Sequence, residues 1–169
     1  MDEKSELVKE NRWKTFHTEL LEQYKLYVET AEKVSEKRQN SNNFYLALNS
    51  SLFTLLGYLA TVLDGLWIII LPIMGISISF VWRQNINSFS QLNSAKYDVI
   101  HKLEEYLPAS LFKTEWYEYL KKGDGTKYKN LTLVEAQIPI IFIWLYLILI
   151  MFLLYKNNIF LPLQQLIIC

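Results

Sequence analysis

Few side chains in this sequence are suited to chemistry, and they are scattered. His17 in WKTFHTELLE and His101 in YDVIHKLEEYL belong to separate amphipathic stretches, and neither is part of an HExxH pattern. The nearest carboxylates to His17, Glu19 and Glu22, make a charged face rather than a ligand set. Glu104 and Glu105 are adjacent, so on a helix they point about 100° apart. General acid–base work needs converging groups in a cleft, and these two read as solvated. The triplet Gly123-Asp124-Gly125 lacks the helix and lysine of a phosphate-binding loop. Cys169 is the only cysteine, which excludes an internal disulfide or a multi-cysteine metal site, and it lacks the three following residues of a prenylation box. No serine nucleophile elbow occurs. The expectation is a protein that is not an enzyme, with no catalytic residues, no cofactor and no metal.

What remains is a pattern of where the chain can sit. Residues 44–82 contain one ionisable acid or base, Asp64, which lies mid-stretch beside Gly65. A single helix of that length would bury the carboxylate at mid-membrane, at a cost of a few kcal/mol or more. Two spans of the length a bilayer requires, 44–63 and 66–82, with Asp64-Gly65 as the turn, keep it in water. A third apolar stretch, IPIIFIWLYLILIMFLLY at 138–155, is bounded by Glu135 and Lys156. The fold expected is therefore an all-α integral membrane protein with three transmembrane helices and a cytoplasmic helical domain. Its parts are an amphipathic helix at 1–43, a transmembrane hairpin at 44–82, a soluble helical segment at 83–134, a third span at 135–156 and a tail at 157–169. The tail, apolar but too short for a straight span, reads as interfacial or re-entrant.

Within the first span a second periodicity appears. Asn43, Ala47, Ser50, Thr54, Gly57 and Thr61 are spaced four, three, four, three and four apart, which puts small or polar residues along one face. Small residues let membrane helices approach closely and hydroxyls bond across the contact, so this face predicts an oligomer contact, with pore lining as the alternative. Pro72 in the second span is expected to kink it, Gly75 and Ser79 make a small-xxx-small pair, and Trp67 and Trp82 read as interfacial anchors.

The soluble parts are helical by the same argument. Leu7, Trp13, Phe16, Leu20, Tyr24, Tyr27, Ala31 and Val34 make one apolar stripe, and Phe89, Leu92, Val99, Ile100, Leu103, Tyr106 and Leu107 another. The two helices are expected to extend the first two spans as an antiparallel pair. A short aromatic helix follows at 110–121, with Trp116 packing on the long ones. Thr132-Leu-Val-Glu135 matches a capping box, placing the third helix's start near Leu133. Residues 1–43 and 83–135 carry eight Lys/Arg each and the hairpin tip none, so the N-terminus is expected in the cytoplasm. MDEKSELVKENRW has no apolar core and is not a secretory signal. Lys+Arg and Asp+Glu balance at 17 each, which gives no argument for nucleic acid. Lys121, Lys122, Lys127 and Lys129 read as a solvated loop, with membrane lipid headgroups as the other reading.

The segments EKRQNSNNF (36–44), WRQNINSFSQLNSAKYDVIHKLEEYLP (82–108), Glu115-Trp116 and LTLVEAQIP (131–139) together resemble the RipA-like family of small bacterial octameric inner-membrane proteins. The resemblance covers about 30 to 155. It implies a homo-oligomer, eight subunits by the family's name, in the bacterial cytoplasmic (inner) membrane, and brings no catalytic residues. The function expected is a ring-like scaffold or pore-like assembly, a possible channel. The alternative is a membrane effector or partner module in a bacterial defence or stress-response pathway, acting with an unidentified cytoplasmic protein partner.

Overall fold

The computed structural model describes residues 3–62, 65–123 and 131–157, with side chains from Thr15 onward except at 66, 67 and 123. The expectations for Trp13, Asp64, Trp67, Asp124, Lys127, Lys129, the tail from 158 and Cys169 lie outside the described residues or side chains. All the regular structure among the described residues is helical. Helix α1 runs Glu3–Val62. Gly65 follows at φ 127°, a backbone that a glycine adopts without strain, and leads into a 3₁₀ turn at Leu66–Ile69. Then come α2 (Ile70–Glu104), α3 (Leu111–Thr114) with a wider π turn at Glu115–Tyr119, α4 (Leu131–Glu135) and α5 (Gln137–Lys156).

Two helical stretches, one within α1 and one over 131–156, are long and apolar enough to cross a membrane. The expected second span at 66–82 does not form a third of that kind. Its first residues are a 3₁₀ turn, and the apolar part of α2 from Ile70 to Trp82 covers only about 20 Å before the polar Arg83-Gln84-Asn85. Pro72, expected as a kink, is the third residue of α2 and is buried. There its missing amide forfeits no intrahelical bond.

The chain divides into two units, Met1–Lys37 with Phe89–Asn130, and Arg38–Ser88 with Leu131–Cys169. In the first unit the α1 stripe meets α2. Leu20, Ala31 and Ile100 are buried, the Lys96 ammonium donates to the Thr30 hydroxyl at 3.1 Å, and it also lies 4.8 Å above the Tyr27 ring. Phe16, at the front of the stripe, is half exposed. Tyr97 and Phe112 pack edge to face, and His101 lies against Tyr117, so α3 and its π turn sit on α2. Trp116 is half-buried.

Glu104 departs most from expectation. Rather than solvated it is fully buried, while Glu105 stays exposed and pairs with Lys113. The Glu104 carboxylate accepts from the backbone amides of Phe112 and Lys113, each at 2.9 Å, and from the Tyr24 hydroxyl at 3.1 Å. It thus satisfies amides of α3 that have no intrahelical partner and ties α3 to α1. Two adjacent glutamates look alike in sequence, and only the chain reversal at Pro108 separates their surroundings.

Burial, then the hydrogen bond to Glu104 and its charge, push the Tyr24 phenol up from 10.0 to about 12. A pKa raised by folding means that the stabilisation is present below pH 10.0 and is lost as pH rises through about 12. Glu104→Ala is expected to destabilise this unit by on the order of 2–3 kcal/mol, since three donors lose a buried acceptor. In the same variant Tyr24 should ionise closer to pH 10.0. Tyrosinate absorbance during a pH titration checks the second effect, and a Tyr24 titration unmoved by the substitution would contradict this geometry.

Candidate functional site

The second unit brings together three segments far apart in sequence. Arg38 comes from α1 just before the apolar stretch, Trp82 and Asn85 from α2, and Thr132 and Glu135 from α4. The Arg38 guanidinium donates to Glu135 Oε2 from Nε at 2.8 Å and approaches it from Nη2 at 2.6 Å, and it also reaches the Thr132 hydroxyl at 3.1 Å. Asn42 adds a third donor to the same Glu135 oxygen at 3.0 Å and accepts from the Trp82 indole, also at 3.0 Å. Asn85 donates to Ser41 at 2.9 Å. Trp82, expected as an interfacial anchor, is instead enclosed at 1 % exposure and stacks on Tyr45. The expected capping box does not form in that way. Thr132 lies inside α4, which begins at Leu131, and the Glu135 carboxylate goes to Arg38 and Asn42. An arginine within reach offers a charged partner that outcompetes a helix amide.

About 10 Å further along α1 lies a second polar layer. Asn49, Ser79 and Tyr146 are each at 0 % exposure. Ser79 donates to Asn49 Oδ1 at 2.9 Å, Tyr146 donates to the side-chain and backbone oxygens of Asn49 at 3.2 Å, and Asn49 Nδ2 donates to the Tyr45 carbonyl at 2.9 Å. Each helix supplies one member, so the layer registers all three. Gly75 lies directly against the Tyr146 ring and Ser79 one turn later bonds Asn49, which gives the small-xxx-small pair its purpose.

The third layer is apolar, with Ala60, Ile68 and Leu153 buried together. Beyond it the Lys156 ammonium donates to the Ala60 carbonyl at 3.0 Å, one of the last carbonyls of α1, which have no amide partner within the helix. The α1 partners are 97 positions from Glu135 and Tyr146 on α4 and α5, and 96 from Lys156. Residue numbers therefore rise together, and the two strands of helix run parallel, with α2 antiparallel between these layers.

The face of α1 singled out by spacing lies elsewhere. Asn43, Ala47, Ser50, Thr54, Gly57 and Thr61 are all exposed, on a face about 120° around α1 from Asn49, Leu56 and Ala60. A Cβ added at Gly57 would have no atom within 4 Å. Thr54 donates to the Ser50 carbonyl at 2.9 Å and Thr61 to the Tyr58 carbonyl at 2.7 Å. Ser50, Ser51, Thr54, Leu55 and Tyr58 form a shallow groove there. No group of three or more His, Cys, Asp or Glu able to hold a metal occurs among the described residues. The polar layers bond across the helices and hold three of them in one register.

The residues of this registry were legible as segments, not as partners. Arg38, Asn42, Trp82, Thr132 and Glu135 all fall in the segments that carry the family resemblance, and the structure joins them in one network. Asn49 and Tyr146 were missed. The signal that finds them is an amide and a phenol inside otherwise apolar stretches, each needing a partner there.

The model of the octameric membrane protein family matches the chain over residues 21–155. No curated protein and no solved structure matches it.

Proposed function

Because the chain belongs to the octameric membrane protein family, and so is a homo-oligomeric membrane protein, we propose that it works as a non-enzymatic, ring-like scaffold. The ring closes through the small-residue face of α1. The observation that carries this reading is that the face is exposed in the protomer while its threonine hydroxyls are bonded back to their own helix. A threonine hydroxyl already bonded to its own helix has no need of water, which favours dry packing over a wetted lining at Thr54 and Thr61.

The reading places the ring in a bacterial inner membrane with three passes per subunit and a cytoplasmic N-terminus. The 3₁₀ turn and the apolar half of α2 together cover about 28 Å, close to the ~30 Å of hydrocarbon. Eight Lys/Arg in each of 1–43 and 83–135, against none at the hairpin tip, favour that orientation.

Thr54→Leu tests the contact. A branched side chain on the close-packed face is expected to shift the extracted protein from its high-order species toward monomers, read as native mass in nanodiscs. An assembly of unchanged mass and stability would sink the assignment of this face.

A further inference from the structure

The reading of the α1 face as a subunit contact leaves open what the neighbouring copy inserts into it, and α5 carries the matching surface. Ile141, Trp144, Ile148, Met151 and Tyr155 are all exposed, at 56, 62, 64, 57 and 75 %. Their spacings are three, four, three and four, the 3.5-residue average of a left-handed supercoiled pair, and the α1 face alternates the same three- and four-residue steps. The row lies on the side of α5 opposite Pro139, Tyr146 and Leu153, which face the protomer's own interior. One row is large, the other small.

Depth decides between this pairing and others. Subunits of a closed ring around the membrane normal share one height. The 97-residue offset set by Arg38–Glu135 and Asn49–Tyr146 therefore applies between copies as well as within one. It puts Trp144 level with Ala47 and Met151 level with Thr54, so a large residue faces a small one at each of these depths. Trp144 points the same way by a separate argument. Lipid-facing tryptophans gather at the membrane interface, yet Trp144 lies about 10 Å into α5.

We propose that the α5 row of one subunit packs into the small-residue face of α1 on the next copy, as a parallel large-into-small contact repeated around the ring. The occupant of the α1 face is thus a second copy of this chain. The contact is heterologous, using two different surfaces, so it propagates rather than ending at a dimer.

The test introduces Ala47→Cys with Trp144→Cys, and separately Thr54→Cys with Met151→Cys, both in a Cys169→Ser background, in native membranes with copper phenanthroline as oxidant. Either pair is expected to give a ladder of covalent species running from dimer up to octamer on a denaturing gel. Ala47→Cys with Tyr155→Cys, mismatched in depth by about 16 Å, should give none. A band at dimer alone would mean a two-fold contact and overturn the proposal. So would a ladder from the mismatched pair, or no ladder from either matched pair while the native mass stays high-order, the last leaving the oligomer reading intact. A wild-type native mass at the monomer would instead remove the oligomer reading itself.

Discussion

Gly75→Ala is expected to destabilise the membrane unit by at least ~1–3 kcal/mol, the cost of forcing extra volume into a packed core. A methyl there would lie 2.6 Å from Cε1 and Cε2 of Tyr146 and nearer still to Cζ. The ring has little freedom to yield, because it is at 0 % exposure and its hydroxyl is held by Asn49. Phe53 and Phe142 flank it as well. Displacing it would leave Asn49 with one fewer donor in an apolar surround. Detergent titration of helicity on the purified protein reads the loss. The same substitution in a Tyr146→Leu background should cost under ~0.5 kcal/mol, since the obstructing ring is gone and the cycle reports only their coupling. A neutral Gly75→Ala in the native background would mean that α2 and α5 do not approach as described.

The Glu135→Ala substitution is expected to cost on the order of 2–4 kcal/mol. Breaking a fully buried pair typically costs ~3–5 kcal/mol by stranding the partner's charge, and the pair here is partly open, with side chains 12 and 21 % exposed. The loss is larger than that of one ion pair because Asn42 donates to the same carboxylate oxygen and also positions Trp82. Exchanging the charges, Arg38→Glu with Glu135→Arg, should recover part of the stability. Recovery near zero would show that the charge pair itself contributes little and that the geometry around Asn42 dominates.

These two sites were legible in the sequence to different degrees. The apolar stretches, the amphipathic soluble helices and the small-residue face follow from periodicity, which depends only on local chain geometry. Gly75 and Ser79 form a spaced pair of small residues in the sequence, and the structure supplies the reason for Gly75, a tyrosine ring from a helix 71 positions later, which is the distance from Gly75 to Tyr146 in the numbering. Partner choice was not legible. Thr132 and Glu135 fit a capping box by spacing, and Arg38, far away in the chain, took the carboxylate. Trp82 fits an interfacial anchor by position, and Asn42 with Tyr45 enclosed it. Glu104 and Glu105 differ by one residue, yet one is buried and one solvated. In each case local spacing named the residue and a long-range contact assigned its role.

The same distinction applies to the second apolar stretch. Its composition reads as a membrane span, but the turn at Gly65 and the 3₁₀ segment shorten the α-helical part. What makes it part of the membrane unit is the set of contacts it supplies, Ile68 to Leu153, Ser79 to Asn49 and Trp82 to Asn42.

The claim on which the rest depends is that this chain assembles with itself through its membrane helices. The measurement that tests it most directly is the native mass of the wild-type protein extracted into nanodiscs. A single species of eight times the protomer mass is the predicted result. A monomer or dimer that persists at high protein concentration would contradict it, removing the ring and with it the pairing of α5 on α1.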